Sequence, residues 1–333
     1  MQMRKLGNTG PQVSAIGLGA MGMSGMYGPS DRAESLATIR AALDAGINLI
    51  DTGDFYGMGH NEMLIGEALK GVSRDSYLLS VKFGAQRGPD GAFLGFDASP
   101  AAVKTACAYS LQRLGVDHID IYRPARLHPA IPIEDTIGAI GELVQAGYVR
   151  HIGLSEVGSA TIRKAAAVHP IVDLQIEYAL VSRGPEDDIL ATTRELGIAI
   201  TAYGVLSRGL ISGHATTDIS APSDFRSHSP RFQGENLAKN LALTETLRAE
   251  AAKLALSPAQ AAIAWALAKG DDIVPVIGAR TRERLAETLG ALEKPLTPDA
   301  VAALEAAMPR DAVAGERYPA MQMAMLDSER RGA

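Results

Sequence analysis

The chain has 333 residues, 47% of them hydrophobic and 21% charged, so a packed globular core is expected. A net charge of −6 with no basic cluster argues against a nucleic-acid partner. The polar, turn-rich start, "MQMRKLGNTGPQVS", does not resemble a secretory signal, and no apolar run reaches the roughly 20 residues of a membrane span, so a cytoplasmic protein is expected.

From the N-terminus, residues 1–14 read as a β-hairpin. Eight short apolar runs come next: 14–19 "SAIGLG", 47–52 "INLIDT", 77–82 "YLLSVK", 118–123 "HIDIYR", 151–156 "HIGLSE", 173–178 "DLQIEY", 198–204 "IAITAYG" and 273–278 "IVPVIG". Each suits a strand covered on both faces. Amphipathic segments with polar starts and frequent glycine stops separate them, such as "SDRAESLATIRAALDAG" and "SPAAVKTACAYSLQRLG". Ser99-Pro100 and Ser257-Pro258 read as an N-cap followed by proline at the first helical position. The lone Cys107 lies in one such helix, where a packing role is expected.

Eight strand–helix alternations predict a closed (β/α)8 TIM barrel as one domain over 1–333, with long loops at the C-terminal face. A doubly wound sheet is the competitor, but "GLGAMGMSG" after the first strand does not match G-x-G-x-x-G. A long polar loop, 205–236, comes after strand seven, and a tail occupies 309–333. Loops after strands gather at the functional face of a barrel. They bring Met21, Met23, Met26, Tyr27, Phe225, Phe232, Met321 and Met323, which predict an adaptable apolar pocket.

Asp51 ends strand two, Tyr56 lies five residues on, and Lys82 ends strand three. An ammonium held by Asp51 would favour the tyrosinate and let Tyr56 act as an acid. A structural ion pair with a rim aromatic is the plainer alternative. The seven histidines form no H-x-H or H-E-x-x-H spacing, so no metal is expected.

Several segments together carry a resemblance: "INLIDTGDFYGMGHNEMLIGEALKG", "LSVKFG", "IDIYR…PIEDTIGAIGELVQAGYVRHIGLSE", "QIEYAL" and "VPVIGARTRERLAETLGAL". In order and spacing they resemble the aldo-keto reductase family from residue 3 to about 318. The resemblance implies a (β/α)8 barrel, bound NADP(H), and reduction of a small-molecule carbonyl. It makes Tyr56 the proton donor, Lys82 the group that tunes it and Asp51 the partner of Lys82. It places Ser155 and Gln175 at the nicotinamide carboxamide and Tyr203 against the ring, with Leu206 and Arg208 in the loop beyond. Their surroundings, "GVLSRG", depart from the usual "SPLGRG", and Glu156 stands where many members carry Asn. At the far end Gly278 closes strand eight, Arg280 and Arg284 match the positions that hold the 2′-phosphate, Glu287 matches the adenine contact, and Thr288 replaces the usual Asn. A helix start with an arginine fork suits phosphate.

The segment "YRPARLHP" departs most. Most members carry a tetrad histidine in "QHR"; with "IDIY" and "PIEDT" in register, Ala125 occupies that position and Arg126 matches the following arginine. Arg123, Ala125, Arg126 and His128 are therefore expected to line the substrate pocket, with Arg123, His128 or a water replacing the lost donor. An NADP(H)-binding sensor with weak turnover is the alternative that Ala125 keeps open.

Overall fold

A computed structural model describes residues 1–214 and 224–330; the remainder of the 205–236 loop and of the tail lies outside the described residues. All eight expected strands are present: Gly17–Gly19, Leu49–Gly53, Leu78–Phe83, Ile119–Pro124, Val149–Ser155, Ile171–Glu177, Ala199–Tyr203 and Ile273–Gly278. They are called strands one to eight. Each pairs in parallel with the next in sequence, and strand eight closes on strand one, so the fold is a closed (β/α)8 barrel. Burial on both faces explains the unbroken apolar runs: strands two, four and six are buried along their whole length.

The first strand is three residues shorter at its start than expected. Ser14 belongs instead to an antiparallel hairpin, Met3–Lys5 with Gln12–Ser14, at the barrel's N-terminal end. Ser99 accepts a hydrogen bond from the Ala102 N–H at the start of helix Pro100–Leu114. Ser257 and Gln260 form a reciprocal cap at the start of Pro258–Ala268. Each cap satisfies amide donors that a helix start otherwise leaves bare. Cys107 is buried, as a packing residue should be.

Two additions depart from the strand–helix repeat. A hairpin, Ala85–Arg87 with Phe93–Phe96, rises directly from strand three. The polar segment after strand seven contains two short turns, Phe225–His228 and Pro230–Phe232, and then a 20-residue helix, Gly234–Lys253, additional to helix Pro258–Ala268 that leads into strand eight. No described helix is long and apolar enough to cross a membrane.

Candidate functional site

The strand ends open into a cavity of about 770 Å³. At its floor, Asp51 receives three donors. Lys82 Nζ donates at 2.5 Å, Ser80 at 2.8 Å and Gln175 Nε2 at 2.7 Å. Strand register explains the convergence: Asp51 lies opposite Ser80, and Lys82 stands two residues further along the same strand, on the same inward face. Alternation thus brings both groups inside at the barrel mouth.

Tyr56 lines the same cavity and is 6% exposed. The Lys82 ammonium lies 5.2 Å from its ring centroid, a cation–π geometry. Lys82 lies where it can act on the phenol, with Asp51 holding its ammonium. Burial, and then the Asp51 carboxylate, push the Tyr56 phenol well above its ordinary value. Burial also draws Lys82 down, against the pull of Asp51.

Two expected pocket residues are elsewhere. Arg123 is wholly buried inside the barrel, below the cavity lining, and donates to Asp173 at 3.0 Å. It is inward-facing like Ala125 but one layer deeper, and Asp173 supplies the countercharge that a buried guanidinium requires. His128 is also outside the cavity lining; its Nδ1 accepts the Ala130 N–H at 3.1 Å and closes its own loop. Ala125 and Arg126 do line the cavity, Ala125 at 2% exposure.

Around the wall are Ser155, Gln175, Tyr203, Leu206, Arg208, Gly278, Arg280, Arg284, Glu287 and Thr288, all brought to one cavity from strands five to eight and the segments after them. The Ser155 hydroxyl is buried and has no protein partner. Helix Arg282–Gly290 begins at this wall, capped by the Thr281 side chain. Arg280 donates to the Tyr27 and Pro29 carbonyls at 3.0 Å each and has no carboxylate in ion-pair range among the described residues. Glu287 is held by Ser257 at 2.8 Å, His214 at 3.0 Å and Arg284 at 3.2 Å.

Glu156 accounts for its own departure from Asn. It is 1% exposed, turned into the left-handed region at φ 53, and held at both oxygens by Arg317, at 2.9 and 2.7 Å. Tyr203 donates to it at 2.6 Å. The paired arginine holds the carboxyl far below the ordinary carboxylate range despite burial. Arg317 belongs to the tail, so this pair fastens the tail over the barrel mouth. Arg208 donates to the Arg317 carbonyl at 2.8 Å and lies 4.5 Å from the Tyr318 ring centroid.

Of the expected apolar lining, Met21, Met26, Tyr27 and Phe225 face the cavity. Met23 is packed beneath at 1% exposure, Phe232 lies in the core, and Met321 points to solvent at 62%. Met323 is likewise absent from the wall, where Gln322 and Met325 stand instead. Sequence reasoning missed the Phe93–Phe96 hairpin wall and Tyr318. The Gly-Pro-Asp-Gly turn at 88–91, followed by Phe93 and Phe96, is the signal that marks the hairpin.

Residues 15–309 match the Aldo/keto reductase family over nearly the whole barrel. The chain belongs to that family. This aldo-keto reductase is 40% identical over 322 residues to a probable aldo-keto reductase of Glycine max, covering 96% of this chain and 92% of the relative. Among solved structures, it superposes on the glycerol dehydrogenase of Gluconobacter oxydans with a TM-score of 0.82, 30% identity, and 92% and 94% of the two chains covered. The holo form of an aldo-keto reductase from Bacillus halodurans gives 0.76, 28% identity, and 92% and 96% coverage. The family makes this aldo-keto reductase an oxidoreductase of the carbonyl-reducing kind.

Proposed function

We propose that the chain is an NADPH-dependent reductase of aldehydes or ketones with Tyr56 as the proton donor. One observation carries the reading: Tyr56 and the Lys82–Asp51 pair share a cavity with two arginines at the start of helix Arg282–Gly290. The residues present fit a nicotinamide cofactor. The partnerless Ser155 hydroxyl, with Gln175, suits a carboxamide. Tyr203, Leu206 and Arg208 line the way to Gly278, and the charge of Arg280, with Arg284, suits a 2′-phosphate. Glu287 and Thr288 stand at the adenine end. When bound, the cofactor supplies a hydride to the carbonyl carbon.

The protein supplies the proton. Tyr56 keeps its proton at neutral pH because burial and Asp51 hold its affinity high. As the carbonyl oxygen gains negative charge, the phenol protonates it, giving the alcohol and a phenolate that solvent reprotonates. Lys82, under the ring, steadies that phenolate, and Asp51 keeps Lys82 in place. Ala125 stands where the family's imidazole would donate to the same oxygen. One such donor is worth on the order of 3 kcal/mol where oxyanion charge develops. The reading is therefore of a reductase with altered selectivity and room for a bulkier carbonyl compound.

Loss of NADPH absorbance with a panel of aldehydes, dicarbonyls and quinones tests the activity. Tyr56→Phe should lower turnover by about 10²- to 10⁴-fold, the usual contribution of a general acid, while NADPH affinity holds. Turnover that survives the change would place the proton source elsewhere. NADPH binding with no turnover on any compound would favour a cofactor-binding sensor.

A further inference from the structure

The cavity wall carries a charge imbalance. Its cations include Lys82, Arg87, Arg126, Arg208, Arg226, Arg280 and Arg284. Lys82 is matched by Asp51, Arg208 by Glu177, Arg226 by Asp224 and Arg284 by Glu287, while Arg87 is tied into its own hairpin by the Gly91 carbonyl and the Phe93 ring. Arg280 is at the end assigned to the cofactor phosphate. Arg126 has no carboxylate in ion-pair range among the described residues. Its one hydrogen bond runs from Nη1 to the carbonyl of Ala125 at 2.6 Å, leaving Nε and Nη2 uncommitted. Glu156, whose field reaches it, is already gripped at both oxygens by Arg317.

The guanidinium is half-buried between aromatic rings, 6.0 Å from the Phe96 centroid and 5.9 Å from that of Tyr318. A cation withdrawn from water without a countercharge is costly unless a ligand completes it. It also sits close to the chemistry. It comes directly after Ala125, and its field reaches both Tyr56 and Lys82. Guanidinium presents two parallel N–H donors that match a carboxylate. Phe96 provides a flat apolar wall beside it, and Phe93 and Phe55 line the same cavity.

We infer that the substrate is an aryl- or otherwise apolar-bodied carbonyl compound bearing a carboxylate, and that Arg126 binds that carboxylate. The inference rests on the reductase reading above and names its substrate class. The loss of the imidazole fits it: with Ala125 in place, the substrate is oriented from its carboxylate rather than from its carbonyl oxygen.

The test compares 4-carboxybenzaldehyde with its neutral methyl ester, methyl 4-formylbenzoate, as substrates with NADPH. The acid should be preferred at least tenfold in kcat/KM, chiefly through KM. Arg126→Gln should cut that acid-to-ester ratio about tenfold or more, and Arg126→Lys should keep part of it. Circular dichroism confirms that each variant is folded. An ester reduced as well as the acid, a ratio that survives Arg126→Gln, or a loss of NADPH affinity in that variant would each overturn the inference. If neither compound is reduced, the reductase reading is decided by the wider carbonyl panel. The inference is then read from titration of 4-carboxybenzaldehyde and its ester against the NADPH complex by calorimetry. Binding of the acid alone, abolished by Arg126→Gln, sustains it; no binding of the acid overturns it.

Discussion

Asp54 shows how one buried residue can set a pH dependence. It sits between Asp51 and Tyr56 in the sequence, its backbone N–H donating to the Lys82 carbonyl at 2.8 Å. One carboxyl oxygen accepts the Gly84 N–H at 3.4 Å, and the group has no side-chain hydrogen-bond donor among the described residues. Burial, and then the charge of Glu62, push its pKa up to about 7, against which Arg113 and the Gly84 amide act weakly. A carboxyl raised in the folded state binds more protons folded than unfolded. Its contribution is therefore best below its unfolded value of 3.8 and is lost as pH rises from there through about 7. Asp54→Asn should remove that loss. We expect a gain of about 2 kcal/mol at pH 8, roughly half of the full linkage value, because the site is partly solvated. The gain should vanish near pH 4. Denaturant unfolding at the two pH values measures it; an equal effect at both would mean that Asp54 is ionised throughout.

At the scale of elements, a buried charge cluster fastens the tail alongside the burial of Tyr318 and Leu326. Arg317 is 5% exposed and binds Glu156, with Glu329 at 2.6 Å and Glu177 at 3.6 Å adding to the cluster. Removing one partner of a buried pair leaves the other uncompensated, at a cost of about 3–5 kcal/mol. Arg317→Met should show that loss in denaturant unfolding and expose the 309–330 segment to limited proteolysis. Adding Glu156→Gln should restore part of the stability, since the stranded charge is then gone. A double variant no better than the single would mean that Arg317 acts by packing. The extra hairpin Ala85–Arg87 with Phe93–Phe96 and the helix Gly234–Lys253 belong to the same scale. Both are insertions on the strand–helix repeat, and both come after strands whose C-terminal ends open on the cavity, where a barrel tolerates added chain without disturbing its closure.

For the whole molecule, ligand linkage reports the cofactor. A ligand that binds only the folded protein stabilises it by about 2.7 kcal/mol at a concentration of 100 times its Kd. At equal concentrations NADPH should raise the melting temperature by several degrees more than NADH, because Arg280 offers a charge with no carboxylate partner to the 2′-phosphate. Arg280→Ala should erase most of that difference while leaving the NADH shift in place. Equal shifts in the native protein would remove the preference for NADPH.

Across these scales, the architecture was legible because its signals are local. Apolar runs of strand length, helix caps such as Ser99 and Ser257, and the order of the segments needed no long-range information. The gathering of Asp51, Tyr56 and Lys82 at the barrel mouth came from the same alternation, since each ends a strand or lies just beyond one. The fate of the two arginines in "YRPAR" did not. They flank the same short stretch, and only the barrel's layering decided that Arg123 would sink to Asp173 while Arg126 would face the cavity. Nor was Arg317 predictable as the partner of Glu156, 161 residues away. Patterning along the chain determined which elements form and in what order, because backbone and burial preferences repeat every two or 3.6 residues. Which charges are paired, which carboxyls are stranded and which guanidinium is left open to a ligand depended on contacts between distant segments, and only the closed barrel brings those together.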